Sequence, residues 1–257
     1  MPFENSSNGS VIFTLDLFAD LSAQHPDISV CGEIYLPVHH CLLGHAGKQH
    51  DLKHIAKLYT HHQAWGQCNK FLSANFKGVE RIDVSSTSKA AELVSQDTSG
   101  SSAAISSRMA GDVNHLDLLA ENIEDREGNS TRFFVLQRRE KDSSTAEDGN
   151  EAAYGDPETD AEHARYKTLV SFTVSHEEPG ALAGCLAVFH KYKLNLTSIN
   201  SRPSSEAAWH YIFFVEIMGR RRRDGSGAVN EALQQLNGVA QSWRWLGSWD
   251  NALRKSE

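Results

Sequence analysis

Asn129-Ser130-Thr131-Arg132-Phe133-Phe134-Val135-Leu136 is the stretch on which the reading of this chain turns. Phe133 to Leu136 is strand-like, and it is entered through a polar step of a hydroxyl and a guanidinium. That order predicts Thr131 and Arg132 at the mouth of a sheet, where ligands of open α/β domains bind. Upstream, strand and helix patterns alternate, the signature of an α/β domain. Strand patterns cover Ile28–Leu36, Val38–Gly44, Arg81–Val84 and Ala103–Ile105. Helical patterns cover Val11–Leu21, Leu52–Leu58, Gln63–Leu72 and Ala90–Gln96, with a further turn at Ser107–Ala110. Leu116–Ile123 then leads back to the polar step. Ser10 or Thr14 is a candidate cap for the first helix, whose free N–H groups would favour an anion. Read alone, Met1 to Ser10 is a loose terminal segment. The hydroxyl-rich turn Ser85-Ser86-Thr87-Ser88-Lys89-Ala90-Ala91 offers a second anion-binding helix start.

Downstream, residues 139–165 are polar and acidic with few large apolar side chains, a composition that predicts a flexible linker. Beyond it the patterns run strand (Tyr166–Ser175), helix (from Pro179-Gly180-Ala181-Leu182), strand (Asn195–Ser201, turning at Pro203), strand (Trp209–Met218), helix (Ala228–Leu236) and strand (Trp243–Trp249). This βαββαβ order predicts a ferredoxin-like domain. Such a sheet leaves an edge and a face that pairing in a dimer would bury.

The chain's 257 residues suit one or two domains, and a net charge of −8 argues against nucleic acid or an anionic membrane as the main partner. Arg220 to Arg223, the basic run, falls between a strand and a helix pattern and reads as a solvated loop. No apolar run is long enough to span a membrane and no signal peptide is evident. Cys31, Cys41, Cys68 and Cys185 form no CxxC pair and sit in or beside apolar surroundings. They read as buried free thiols in a reducing, cytoplasmic setting. His50 and His54, with His61 and His62 nearby, have helical metal-ligand spacing, but no glutamate or cysteine completes a set, so no metal is expected. His39 and His40 read as strand packing residues.

Several runs, in order and at matching spacing, carry a family resemblance. They are Pro2-Phe3-Glu4-Asn5-Ser6 with Gly9-Ser10-Val11, then Leu36-Pro37-Val38-His39-His40-Cys41-Leu42-Leu43-Gly44. Ser86-Thr87-Ser88-Lys89-Ala90-Ala91, Ala103-Ala104-Ile105 and Asn129-Ser130-Thr131-Arg132-Phe133 complete the series. On these residues the chain resembles prephenate dehydratase, in particular its fungal monofunctional form. Gly180-Ala181-Leu182 and the Ser201-Arg202-Pro203 turn resemble the ACT regulatory domain that follows it.

The resemblance implies a two-lobed, periplasmic-binding-protein-like catalytic domain over residues 1–138, a linker over 139–165 and an ACT domain over 166–250. It also implies a further glycine-rich segment ahead of the Glu4-Asn5-Ser6 motif, supplying much of the first lobe, which this chain does not include. The implied reaction is the decarboxylating dehydration of prephenate to phenylpyruvate, carbon dioxide and water, with no metal or organic cofactor. Thr131, Arg132 and Phe133 would form the catalytic motif, with Thr131 hydrogen-bonding the departing hydroxyl and Arg132 fixing a carboxylate or the local carboxyl network. Glu4, Asn5 and Ser6 would line the cleft, and Ser86, Thr87 and Ser88 would receive a substrate carboxylate. Gly180, Ala181, Leu182, Asn200, Ser201, Arg202 and Pro203 would bind L-phenylalanine as an allosteric inhibitor in a homodimer or homotetramer. Asn200 departs from the family's usual glutamate, so its attraction for the ligand's ammonium would be weaker. The alternative is a catalytically inactive amino-acid-binding protein or regulatory subunit.

Overall fold

The computed structural model describes residues 1–20, 22–45, 52–138, 164–204 and 207–253. The chain forms two compact units, one of Met1–Leu36 with Thr131–Glu257, the other of Pro37–Ser130. The expected boundaries at 138 and 165 do not coincide with this division. Residues 139–163 of the expected linker, and His50 of the histidine pair, lie outside the described residues.

The first unit is built on one eight-stranded sheet. Its strands are β1 (Pro2–Asn5), β2 (Gly9–Ser10), β3 (Ile28–Pro37), β9 (Ser130–Arg138), β10 (Tyr166–Thr173), β11 (Leu196–Pro203), β12 (Tyr211–Met218) and β13 (Ser242–Asp250), in the order β11-β12-β10-β13-β3-β9-β1-β2. Helix α1 (Ile12–Ala19) follows β2, while α6 (Ala181–Lys191) and α7 (Ala228–Leu236) alternate with the C-terminal strands in βαββαβ order. Val170, Phe172, Val215 and Ile217 pack with Cys185, Phe189, Leu233 and Leu236 of the two helices. Leu169 and Phe214, their neighbours of opposite parity, pack instead with Phe3, Phe18, Phe134, Leu246 and Trp249. Strands β10 and β12 are therefore covered on both faces.

The two halves of this sheet meet where β13 pairs in parallel with β3 at Gly247 and Val30. A Cβ on Gly247 would lie 2.1 Å from the Val30 carbonyl oxygen, and its φ is +144°. Only glycine allows that approach. A bulge beside it, between Leu169 and Val170, skips Leu246 in the β10–β13 ladder.

The second unit carries the strands β4 (Cys41–Gly44), β5 (Lys57–Thr60), β6 (Glu80–Asp83), β7 (Ser102–Ser106) and β8 (Asp117–Ala120), in the order β6-β5-β7-β4-β8. Its helices are α2 (His62–Gln67), α3 (Asn69–Asn75), α4 (Thr87–Ser95) and α5 (Arg108–Asn114). Leu52–Leu58 is not a helix: a single 3-10 turn, Leu52–His54, precedes β5. Leu58 is fully buried and paired to both β6 and β7, so parallel ladders on either side outweigh the local helical spacing. The Gln63–Leu72 pattern divides into α2 and α3 at Cys68. His39 and His40 precede β4 rather than lie in a strand, and Cys31 is exposed while the other three cysteines are buried. Among the described residues no helix is long and apolar enough to cross a membrane.

Candidate functional site

Thr131 and Arg132 lie within β9, not ahead of it, because Asn5 and Glu4 of β1 pair with them. The loose segment expected at the N-terminus is therefore ordered strand, with the Met1 ammonium donating to the Phe134 carbonyl at 2.8 Å. Neither candidate cap serves α1. The Thr14 hydroxyl donates to the Pro2 carbonyl at 2.6 Å, and the Ser10 hydroxyl is used elsewhere.

Strand geometry turns successive side chains to opposite faces, so Thr131 and Phe133 share one face while Arg132 and Phe134 share the other. On the first face, Asn5 Nδ2 donates to Thr131 Oγ1 at 3.1 Å. The Asn5 amide cannot flip without loss, because its Oδ1 accepts from the backbone N–H groups of Ser7 and Asn8 at 3.0 and 2.9 Å. A lone pair of the threonine oxygen is thereby occupied by a donor, and its own proton is left to point at another acceptor.

On the second face, Arg132 is buried in a cluster of four charges. Its guanidinium meets Glu33 Oε2 at 2.5 Å and the carboxylate of Glu216. Lys167 Nζ lies 3.2 Å from Glu33 Oε1 and 3.6 Å from Glu216 Oε1. None of the four side chains is more than 6 % exposed. The Ala252 N–H and the Thr197 hydroxyl donate to the remaining carboxylate oxygens at 2.9 and 2.5 Å. Two acids and two bases leave the cluster neutral, with most lone pairs engaged, the condition under which buried ions are tolerated. Burial pushes the Glu33 carboxyl up, but Arg132 and Lys167 outweigh it and hold the group below the usual glutamate range. Burial also works against the Arg132 charge, yet the two carboxylates raise its pKa further. Tyr35, half-buried and near both acids, has its phenol pushed well above the ordinary tyrosine range.

Arg132 thus serves the local carboxyl network, and Glu4 of the Glu4-Asn5-Ser6 motif lies 4.0 Å from it. Of the aromatic rings packed against its guanidinium, Phe134 is nearest, 4.8 Å away and stacked on Phe3. Phe133 is half-buried opposite Pro2. Glu33, Lys167 and Glu216 were not singled out from sequence. The signal was there: each is the one charged residue in its strand, a pattern that marks a paired buried ion.

In the second unit, Ser86 caps α4, its Oγ accepting from the Lys89 N–H at 3.0 Å, and Thr87 and Ser88 form the helix's first turn. In the first unit, Gly180 caps α6 at φ +86°, which favours glycine, and Ala181 and Leu182 open the helix. Asn200, Ser201, Arg202 and Pro203 end the edge strand β11. Among the described residues no group of three or more histidine, cysteine or acidic side chains is arranged to hold a metal.

Fold and site together define an α/β protein of two units in which a threonine, oriented by an asparagine, backs onto a buried arginine. A family profile for prephenate dehydratase matches residues 1–141. The chain is 30% identical over 251 residues to the prephenate dehydratase of Bacillus subtilis, covering 98% of this chain and 82% of that protein. It is 34% identical over 253 residues to a bifunctional chorismate mutase/prephenate dehydratase of Aquifex aeolicus, with 98% of this chain aligned. It spans 61% of that relative's length. The crystal structure of prephenate dehydratase from Arthrobacter aurescens in complex with L-Phe matches with a TM-score of 0.78 at 28% identity, over 99% of this chain and 75% of that one. The chain belongs to the prephenate dehydratase family.

Proposed function

We propose that the protein converts prephenate to phenylpyruvate, and that the Asn5–Thr131 pair carries the reaction. Prephenate's ring carboxylate leaves as carbon dioxide, the released electron pair completes the aromatic ring, and the ring hydroxyl departs with a proton as water. The difficult part is the departing oxygen, which gains negative charge as its bond to the ring breaks. A hydroxyl already accepting from Asn5 is set to donate to that oxygen, giving stabilisation that grows in the transition state. Threonine's hydroxyl is too weakly acidic to give up its proton freely, so its part is a positioned hydrogen bond. Arg132 keeps the strand in register from the opposite face. Glu4 and Ser6 flank Asn5 as substrate contacts, and Ser86, Thr87 and Ser88 supply hydroxyls and helix N–H groups to a substrate carboxylate.

In the same reading, residues 1–138 belong to the catalytic domain and 166–250 form a ferredoxin-like ACT domain. That domain binds L-phenylalanine through Gly180, Ala181, Leu182, Asn200, Ser201, Arg202 and Pro203, between chains of a homodimer or homotetramer. The phenylalanine complex of the Arthrobacter relative supports the effector. A cytoplasmic location fits the three buried, unbridged thiols.

The test is prephenate-dependent phenylpyruvate formation by the purified 257-residue chain, with and without L-phenylalanine. Turnover suppressed by phenylalanine is the expected result. Phenylalanine binding without turnover would instead favour the amino-acid-binding protein or regulatory subunit.

A further inference from the structure

Two contacts join the proposed effector segment to β2 and α1, the elements that follow the Asn5-bearing strand β1. The Ser10 hydroxyl donates to Asn200 Oδ1 at 2.5 Å. Arg202 reaches both carboxylate oxygens of Asp16, Nε to Oδ1 at 2.5 Å and Nη2 to Oδ2 at 3.2 Å. Ser10 is linked to Thr131 through the backbone ladder. Ser10 stands opposite Glu4 in the β1–β2 pair, and the next residue, Asn5, stands opposite Thr131 in the β1–β9 pair and donates to it. Asp16 is on α1, which continues directly from β2 and is tied back to β1 by the Thr14–Pro2 hydrogen bond.

We infer that these two contacts form a latch between β11 and the β2–α1 segment, and that an amino-acid effector opens it by competing for Asn200 and Arg202. The inference rests on the regulatory reading of residues 200–203. Its chemistry is a match of groups. The ligand's carboxylate is the same kind of anion as Asp16 and asks for the same guanidinium fork. The ligand's ammonium replaces the Ser10 hydroxyl as donor to Asn200 Oδ1. Asn200 suits the latch because its Nδ2 donates to Ser198 Oγ at 3.1 Å, which keeps Oδ1 turned toward Ser10. Opening removes a support of the hairpin that aims the Asn5 amide. Effector binding and a well-held Asn5–Thr131 pair are then mutually opposed, and coupling between them is reciprocal by linkage.

The pair is partly exposed, Arg202 by 26% and Asp16 by 45%. Each latch contact therefore holds back effector affinity by no more than about five-fold.

The experiment titrates L-phenylalanine calorimetrically into the full chain and into the Ser10→Ala, Asp16→Asn and doubly substituted forms, each checked for intact folding by its thermal transition. Both single variants are expected to bind about two- to five-fold more tightly, and the double variant more tightly still. L-phenylalaninamide, which lacks the carboxylate, should gain nothing from Asp16→Asn. Amide hydrogen exchange over residues 4–10 should quicken when phenylalanine is added to the unsubstituted chain, and already be fast in the double variant without ligand. Unchanged or weaker binding by both variants, an equal gain for the amide, or exchange indifferent to ligand would each overturn the latch while leaving the effector site standing. Phenylalanine binding to none of the forms would remove the effector reading itself, and the latch with it.

Discussion

A single hydrogen bond separates Thr131 as a chemical group from Thr131 as an ordinary strand residue. Asn5 donates to its oxygen at 3.1 Å, and on the proposed reading the threonine proton then serves the departing hydroxyl. Thr131→Val should lower kcat by about 10²–10³-fold, the usual effect of losing one transition-state donor, with little change in the unfolding midpoint. Thr131→Ser should retain most of the rate. Asn5→Asp is the sharper test, because a carboxylate cannot donate and would draw the hydroxyl proton to itself. A loss comparable to that of Thr131→Val is expected, and near-normal kcat for Asn5→Asp would refute the assignment. On the other face, Glu33 links residue chemistry to pH. Its folded pKa is depressed by Arg132 and Lys167, so its stabilisation is complete above the unfolded value, near 4.5, and is lost as pH falls through the folded one. Urea midpoints at pH 7, 5, 4 and 3 should fall more steeply for the unsubstituted chain than for Glu33→Gln. Parallel curves would show that Glu33 is not the group responsible. The sequence made Thr131 and Asn5 legible through their motifs, but not their contact. They are 126 residues apart, and only the β1–β9 ladder brings them together.

Elements that bury one face were the easier ones to read. The Ala228–Leu236 pattern coincides with α7, whose Val229, Ala232, Leu233 and Leu236 repeat at helical spacing and are all buried. Leu52–Leu58 failed because its apolar residues satisfy two periods at once, and the parallel partners that decide between them lie well along the chain. Met1–Asn5 failed for a related reason. Its partner strand, β9, begins more than a hundred residues later, and no local signal announces the pairing. The junction of β13 with β3 was likewise invisible, although Gly247 in an aromatic strand was a clue, since glycine inside a strand marks a bulge or a close backbone approach. Gly247→Ala tests that junction directly. With a Cβ forced to 2.1 Å from Val30 oxygen, the strands must separate or shift. A loss of about 1–3 kcal/mol or more is expected in chemical denaturation, with faster amide exchange along β3. A neutral substitution would mean that the β13–β3 bridge contributes nothing to the sheet.

At the scale of the whole first unit, the four charges of Arg132, Glu33, Lys167 and Glu216 span strands from both ends of the chain. β3 and β9 bring Glu33 and Arg132, while β10 and β12 bring Lys167 and Glu216. The residues assigned from sequence to separate catalytic and regulatory domains therefore share one buried electrostatic cluster. Its cost of assembly is justified only when every member is present, since a buried ion without its partner loses far more than a surface ion would. Glu216→Leu leaves the cluster with one excess positive charge, and Lys167→Met leaves one excess negative charge. Each alone should cost about 3–5 kcal/mol, a large share of the roughly 5–15 kcal/mol that holds a typical domain folded. Made together, the two substitutions restore neutrality around the Arg132–Glu33 pair and replace the lost ions with apolar volume. The double variant should then be more stable than the sum of the single losses by at least about 1 kcal/mol, because the sites are in contact and share partners. Urea denaturation followed by tryptophan fluorescence and by far-ultraviolet circular dichroism measures both the size and the cooperativity of the effect. Additive losses would mean that the four charges act as two independent pairs.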